Sequence, residues 1–398
     1  MLPAPRSPLR LAFIVSHPIQ YYAPLYRRLA QRDDIAIKVF FTWHAGQAAV
    51  HDHGFKTPVA WDIPLTQGYE FEHVANLSSD PGTHRFFGLR NPSLVQRVMA
   101  WRPDAVHLTG WAWLSHLMAL RGLVKRGVPV LFRGDSHLLG AHRRGPKWSV
   151  KRRLLRYVYS WPAAFLVTGA ANRAYYEAFG VGPERLHRCP HSIDVRRFAE
   201  PAAAMEREAL RWRQQLGIAD GRCVLLFAGK FERKKRPVEL MRAVQSSHDR
   251  HLLLVMVGDG ELAGDVYAIA GTDPDRFRVL PFQNQSRMPV VYRLGDVFVL
   301  PSAYGETWGL GVNEALACGR PVLVSDRVGC AADLVSPTCG RIFPWADFPA
   351  MLRMFDEMTA DREMLAETGH AAGRSAWAFD IASTEAAIME SVSYACGK

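Results

Sequence analysis

The sequence predicts an α/β protein built from two doubly wound, Rossmann-like units. Three observations lead there. At 398 residues the chain exceeds what one hydrophobic core usually holds. Its 48% apolar and 22% charged content is that of an ordinary globular protein, which argues against disorder and against a fibrous repeat. Short runs rich in Val, Ile, Leu and Phe alternate with helical patterns along most of its length, the mark of a parallel sheet covered by helices.

In the first half such runs predict strands over 11–16, 35–41, 105–108, 128–133, 164–168 and 187–190, with helices between most of them. The stretch 43–89 lacks helical period and is dense in His, Gly and aromatic residues. An excursion of this kind in an α/β domain usually sits over the carboxyl ends of the strands, where ligands bind. In the second half strands are predicted over 223–228, 251–258, 277–281, 297–301 and 321–325, separated by amphipathic segments such as 237–245. The boundary between the units falls between 193 and 221, where Asp194-Val195-Arg196-Arg197-Phe198 leads into a polar, Ala-rich helical stretch.

Six scattered cysteines, with no Cys-x-x-Cys pair and no His-rich tract, speak against a disulfide framework and a zinc site and favour a reducing, cytoplasmic compartment. No window reaches the roughly 18 apolar residues of a membrane-spanning helix, so membrane contact is expected to be peripheral. The start of the chain lacks the long apolar stretch of a signal peptide. Residues 1–200 hold 27 Lys and Arg against 13 Asp and Glu, a net of +14, whereas 201–398 carry a net of −3. The densest basic run is Arg143, Arg144, Lys147, Lys151, Arg152, Arg153 and Arg156, interleaved with Trp148, Leu154, Leu155, Tyr157 and Tyr159. As a helix it reads either as a basic amphipathic surface for anionic lipid or as a solvated face. Nucleic acid is disfavoured, since no helix-turn-helix, RNP or finger pattern accompanies the charge.

The most informative segment runs from Val297 to Asp326: strand, loop, helix, strand, with the helix expected to open near Trp308 and close at Gly319. Glu306 falls in the loop and Glu314 nearly two turns into the helix. A helix mouth at Trp308, Gly309 and Leu310 offers backbone N–H groups to a diphosphate. One carboxylate could accept from ribose hydroxyls and the other from sugar hydroxyls. The alternative from this segment alone is that Glu306 caps the helix and Glu314 is merely exposed.

A second basic site, Gly229-Lys230-Phe231-Glu232-Arg233-Lys234-Lys235-Arg236-Pro237, follows the first strand of the second half. Gly229 permits close backbone approach, and Lys230 and Lys235 bring positive charge to the strand's carboxyl end. The Gly-x-x-x-x-Gly-Lys-Ser/Thr arrangement is absent, so ATP hydrolysis is unsupported. Val257-Gly258-Asp259-Gly260 adds a strand-end glycine pair of the kind that commonly marks a turn. In the first half, the strand over 128–132 ends in Arg133-Gly134-Asp135-Ser136-His137, and the first strand ends in Ser16-His17-Pro18-Ile19-Gln20-Tyr21-Tyr22. His107 and His116 read as ordinary packed or surface histidines.

Taken in order, Gly-Lys-x4-Lys235, Val-Gly-Asp-Gly, Asp296-Val-Phe-Val-Leu-Pro-Ser, Glu-x7-Glu and Gly-x-Pro-Val-Leu-Val-Ser-Asp resemble the donor domain of the retaining glycosyltransferases of family 4, which have the GT-B fold. His191-Ser192-Ile193-Asp194-Val195-Arg196-Arg197-Phe198 is similar to that family's Asn-Gly-Val-Asp-x-x-x-Phe signature. The resemblance covers about 160–345. It implies two Rossmann-like domains facing across a cleft: an acceptor-binding domain over 1–198, a donor-binding domain over 199–376, and a C-terminal helix over 377–398 crossing back to the first. By position, Lys230 replaces the family's phosphate-binding arginine, with loss of bidentate geometry. Lys235 matches its phosphate-binding lysine, Glu306 the glutamate near the donor hexose, Glu314 the ribose-binding one, and 308–310 the amides on the diphosphate. Asp135 or His137 would fill the place of a histidine near the donor sugar, unless Asp135 only stabilises a turn. The first half departs from the pattern, since Ser16 and His17 stand where relatives often carry a Gly-Gly loop.

What the resemblance implies is retaining transfer of a hexose from a nucleotide sugar, UDP-sugar favoured, to a saccharide or lipid-linked acceptor. The leaving phosphate would assist deprotonation of the acceptor, with no cofactor and no metal. Two other readings remain open at this point: a glycoside phosphorylase on the same fold, and a non-catalytic protein that binds anionic lipid.

Overall fold

The computed structural model describes residues 8–44, 50–52, 57–59, 61–140 and 145–397. The chain divides into two units. The first takes Met1–Ala48, Pro64–Pro190 and Ile381–Lys398, and the second takes Ala49–Ile63 and His191–Asp380.

The first unit is organised on a seven-stranded sheet. Its strands are β1 (Leu9–Val15), β2 (Ile35–Phe41), β5 (Glu70–His73), β6 (Ala105–Thr109), β7 (Val130–Arg133), β8 (Ala164–Val167) and β9 (Leu186–Arg188). Between β2 and β5 lie β3 (Val50–Asp52) and β4 (Thr57–Val59), an antiparallel pair. The order is β5-β2-β1-β6-β7-β8-β9 and every neighbour pair is parallel. Such strands are covered on both faces, which is why Leu11, Ala12, Phe13, Ile14 and Val15 are consecutively buried and no alternation is visible in the sequence. The short strand β5 escapes a hydrophobic-run reading because it is a charged edge. Glu70 and Glu72 on it each take an ion pair from Lys38 Nζ at 3.1 Å.

One further helix completes this sheet. Ile381–Cys396 buries Ile388 and Val392 in the same cluster as Leu11, Leu131 and Leu166. Glu385 on it is ion-paired with Arg28 and with Arg32, the latter at 2.9 Å. Thr384 Oγ1 donates to the Pro190 carbonyl at 3.0 Å.

In the second unit β10 (Cys223–Ala228), β11 (Leu252–Val257), β12 (Phe277–Leu280), β13 (Val297–Leu300), β14 (Val322–Ser325) and β15 (Gly340–Phe343) form a parallel sheet of order β12-β11-β10-β13-β14-β15. Its core packs Leu225, Phe227, Leu254, Met256, Val297, Val299 and Leu323 against helix residues such as Leu240, Val244, Met351 and Phe355. The edge strand β15, Gly-Arg-Ile-Phe, is half exposed and again too short and polar to be read as a run.

The two units are the Rossmann-like pair of α/β domains that the sequence predicts, and the fold is of the GT-B kind. The units change over at 190/191 and 380/381 in place of 198 and 376, and Ala49–Ile63 groups with the second unit and not the first. The short helix Val195–Ala199, with Asp194 as its N-cap, buries Phe198 beside Tyr292 of the second unit, so the division falls before His191. The basic run of the first half forms the helix Pro146–Val158, while Arg143 and Arg144 lie outside the described residues. No helix among the described residues is long and apolar enough to cross a membrane.

Candidate functional site

In an open parallel sheet, ligands bind beyond the carboxyl ends of the strands where the winding reverses. In the second unit that point lies between β10 and β13. From β10 the chain winds outward through β11 and β12, then returns to β13 on the other side. The loops leaving β10 and β13 carry Gly229, Lys230, Lys235 and Glu306, so topology gathers the residues singled out in the sequence at one edge.

The loop after β10 is shaped by glycine. Gly229 has φ +157°, and the Gly229 N–H donates to the Val257 carbonyl at 2.9 Å. A Cβ on Gly258 would stand 1.9 Å from the Gly229 carbonyl oxygen, so the loops after β10 and β11 touch with no side chain between them. The glycine pair of the second strand end is thus a packing device that holds the first loop down. Beyond Phe231 the chain makes a short 3₁₀ turn, Arg233–Lys235, and enters the helix Pro237–Ser246. This turn brings the Lys235 side chain back over Gly229, with Cδ 3.6 Å from where a Cβ on Gly229 would be.

From β13 the chain runs Pro301-Ser302-Ala303, and the Ala303 N–H donates to the Lys234 carbonyl at 2.8 Å, tying this loop to the first. Lys235 Nζ lies 2.8 Å from Glu306 Oε2, and Ser302 Oγ donates to the same oxygen at 3.2 Å. Burial pushes the Glu306 carboxyl up, but the adjacent Lys235 ammonium, Lys234 and the Ser302 hydroxyl together hold it below the ordinary carboxylate range. A carboxylate and an ammonium, each only about 15% exposed, are therefore both charged at the floor of the loop pair.

The rest of the loop is pinned from the β14 side. Gly329 N–H donates to the Glu306 carbonyl and Cys330 N–H to the Trp308 carbonyl, both at 3.0 Å. A Cβ on Gly329 would sit 1.9 Å from the Thr307 carbonyl oxygen. Trp308 is buried, and its Nε1–H donates to Asn313 Oδ1 at 2.8 Å. Gly309, with φ +98°, turns the backbone into the helix Leu310–Ala317. That helix opens at Leu310, two residues after Trp308, because Trp308 is held in the core. The Val312 N–H already donates to the Gly309 carbonyl at 2.9 Å, and the N–H groups ahead of it, which no helical turn can satisfy, face the place where a helix N-terminus attracts an anion.

Glu314 is not exposed. It is 2% accessible, and the Tyr292 hydroxyl donates to its Oε2 at 2.6 Å. A buried carboxylate needs such partners, and the reading of Glu314 as a solvated surface residue is thereby set aside.

Asp135 and His137 belong to the first unit, in the loop after β7. His137 Nδ1 accepts the Leu139 N–H at 3.1 Å, so the neutral ring carries its proton on Nε2. Other strand ends of this unit carry His17, hydrogen-bonded through Nδ1 to Ser16 Oγ at 2.9 Å, and Trp43, whose ring meets His17 edge-on at 5.4 Å. His44 stacks on His73 at 4.5 Å. His107 and His116 are packed, not surface, residues. Burial lowers them to about 3 and about 4, and His116 is held by Thr42 Oγ1 at 3.0 Å and the Thr109 carbonyl at 2.9 Å.

Sequence reasoning passed over Ser302, Tyr292, Asn313 and Arg133. Ser302 stands four residues before Glu306 in a quoted segment, and Asn313 adjoins Glu314, but nothing in either pattern announces a partner. Arg133 ends β7 fully buried and donates to the Cys189 carbonyl at 2.9 Å and the Pro190 carbonyl at 3.3 Å. Among the described residues no group of three or more His, Cys, Asp or Glu is gathered as a metal site.

Residues 208–374 match the family model of glycosyl transferases group 1, and 70–192 match that of the glycosyl transferase 4-like domain. A D-inositol 3-phosphate glycosyltransferase of Nocardia farcinica is 28% identical over 242 residues, 57% of this chain and 51% of that protein. A putative glycosyltransferase, EpsF, of Bacillus subtilis is 30% identical over 193 residues, 47% of this chain and 49% of its own length. The chain thus spans about half the length of these relatives. Among solved structures, Anabaena Alr3699/HepE in complex with UDP and glucose superposes with a TM-score of 0.72 at 16% identity, covering 97% of this chain and 99% of that one. Sucrose-phosphate synthase from Thermosynechococcus elongatus does so with a TM-score of 0.70 at 18% identity, covering 96% and 98%. At these identities the likeness is one of fold.

Proposed function

We propose that this chain is a glycosyltransferase that moves a hexose-type sugar from a nucleotide sugar, UDP-sugar favoured, to a saccharide or lipid-linked acceptor. Transfer proceeds with retention at the anomeric carbon and without a divalent metal or other cofactor. The observation that carries the reading is the crevice at the winding reversal of the second sheet. It combines a glycine-floored loop, a buried Lys235–Glu306 pair and a helix N-terminus, the combination that a sugar diphosphate needs. The matches to glycosyl transferase models over 208–374 and 70–192 support it, and the UDP bound by Alr3699/HepE, on the same fold, favours the uridine donor.

On this reading Lys235, Lys230 and the amides of 308–310 stabilise the negative charge that develops on the departing diphosphate. Glu314, its Oε2 already oriented by Tyr292, accepts from ribose hydroxyls. Glu306, kept ionised by Lys235, accepts from hydroxyls of the hexose. Asp135 or His137, in the loop after β7, takes the role of a residue acting at the sugar, and the first unit binds the acceptor. The leaving phosphate assists in removing the acceptor's proton, so no protein nucleophile is required. The proposed setting is the cytoplasm, with any membrane contact peripheral.

Calorimetric titration of the purified protein with UDP, GDP, ADP and their hexose conjugates tests this. The expected result is binding of a uridine nucleotide that Glu314→Ala weakens at least tenfold. Binding of none of them, together with phosphorolysis of a glycoside by free phosphate, would replace the reading with a phosphorylase.

A further inference from the structure

The helix Pro146–Val158 buries very little of itself. Leu155 and Val158 are buried, and Trp148 is half-buried against Phe179 with ring centroids 5.2 Å apart. The remaining side chains include Lys147, Lys151, Arg152, Arg153 and Arg156, with no acidic residue anywhere in the helix. Away from the packed side, Val150, Leu154 and Tyr157 are 69%, 53% and 57% exposed. Their spacing of i, i+4 and i+7 aligns them in one stripe along the helix. By the same geometry Lys147 and Lys151 border the stripe on one side, and Arg153 borders it on the other.

At the helix end the stripe meets Trp161, which is partly buried against the core of the first unit. Tyr157 meets Trp161 edge-on at 5.1 Å, and the guanidinium of Arg121, from the helix Leu114–Val124, lies 6.0 Å from the Trp161 ring. An aliphatic line, then two amphipathic aromatics, framed by cations, is the composition of an interfacial surface. Singly exposed apolar residues are ordinary, but three in register on an otherwise fully basic helix are not what solvation alone selects.

We propose that this face docks on an anionic lipid bilayer, with Val150 and Leu154 at the acyl boundary, Tyr157 and Trp161 at headgroup depth, and the flanking Lys and Arg on lipid phosphates. Charge chooses this occupant over the others. A second copy of the chain would set five cations against five like charges, and nucleic acid would use the cations but leave the apolar stripe in water. The inference stands apart from the transferase reading, since it concerns a surface on the first unit and predicts adherence, not turnover.

Sedimentation of the full chain with vesicles of equal parts phosphatidylglycerol and phosphatidylcholine, and with pure phosphatidylcholine, tests it. The expected result is binding to the anionic vesicles that falls with added salt. Lys147→Gln with Lys151→Gln should weaken it roughly 25-fold, at about fivefold for each cation. Val150→Ser with Leu154→Ser should weaken it at least tenfold at unchanged charge, with the melting temperature of every variant checked against the parent. Failure of the parent to bind anionic vesicles overturns the proposal. So does binding that the serine pair leaves intact, or a stripe whose serine variant abolishes self-association and not vesicle binding.

Discussion

The Lys235–Glu306 pair allows stability and ligand binding to be separated by one thermodynamic cycle. At 2.8 Å the direct attraction is about 6 kcal/mol at an effective dielectric of 20, most of it offset by the cost of taking both charges out of water. Lys235→Met leaves a mostly buried carboxylate that keeps the Ser302 hydroxyl but loses its ammonium, which should cost about 3 kcal/mol. In a unit of about 200 residues that corresponds to a fall of roughly 6–12 °C in melting temperature. Glu306→Gln should cost less, about 1–2 kcal/mol, since the ammonium keeps a hydrogen-bonding amide. The double variant removes both charges and should recover about 2 kcal/mol relative to the sum of the single changes. Donor binding should behave otherwise. Loss of the Lys235 charge removes a phosphate contact worth about 1.5–3 kcal/mol, a 10- to 150-fold loss of affinity that no change at Glu306 restores. Urea melts and calorimetry on the four proteins measure both. A coupling energy under about 0.5 kcal/mol would show that the pair is solvated and the site misread. Recovery of donor affinity in the double variant would remove Lys235 from the phosphates.

Three further outcomes follow from the same geometry. Tyr292→Phe should cost about 1–3 kcal/mol by stripping a donor from buried Glu314, and should weaken nucleotide binding while leaving acceptor binding unchanged, as titration with each ligand would reveal. Gly258→Ala should destabilise the second unit by about 3 kcal/mol or more, because its Cβ would stand 1.9 Å from a carbonyl oxygen, whereas Gly264→Ala, in open space on the helix Ala263–Thr272, should stabilise it by about 0.5–1 kcal/mol in denaturant melts. His107 and His116 are neutral in the fold at pH values where the unfolded chain is protonated, so they contribute stability fully above about 6.5 and lose it as pH falls toward about 4 and about 3. A pH series of melts on the first unit should flatten over that window in His116→Asn; an unchanged slope would assign the acid sensitivity elsewhere.

Eleven strands were legible in the sequence because parallel strands buried on both faces are continuous apolar runs. Of the four edge strands, β9 and β12 were read but β5 and β15 were not, because these two carry Glu70, Glu72 and Arg341 among few apolar residues. At the site, Gly229, Lys235, Glu306 and Glu314 stood out because special backbone or charge at a strand end is rare enough to notice. Their partners Ser302 and Tyr292 did not, since a hydroxyl acquires meaning only from what it points at. Gly258 illustrates the difference: as a letter it marked a turn, and in space it keeps a second loop within touching distance of the first.

The helix Ile381–Cys396 has a consequence for biosynthesis. A ribosome delivers β1 first, yet the sheet that β1 belongs to lacks one of its covering helices until the last residues of this stretch emerge. The second unit, made of Ala49–Ile63 and the continuous stretch His191–Asp380, can close while the cluster of Leu11, Leu131 and Leu166 in the first still lacks Ile388 and Val392. Closure of the second unit therefore does not wait on residues after 380, whereas full covering of the first does. Removing residues from 381 onward should then leave the later-made unit intact and turn the earlier-made one into the aggregating part.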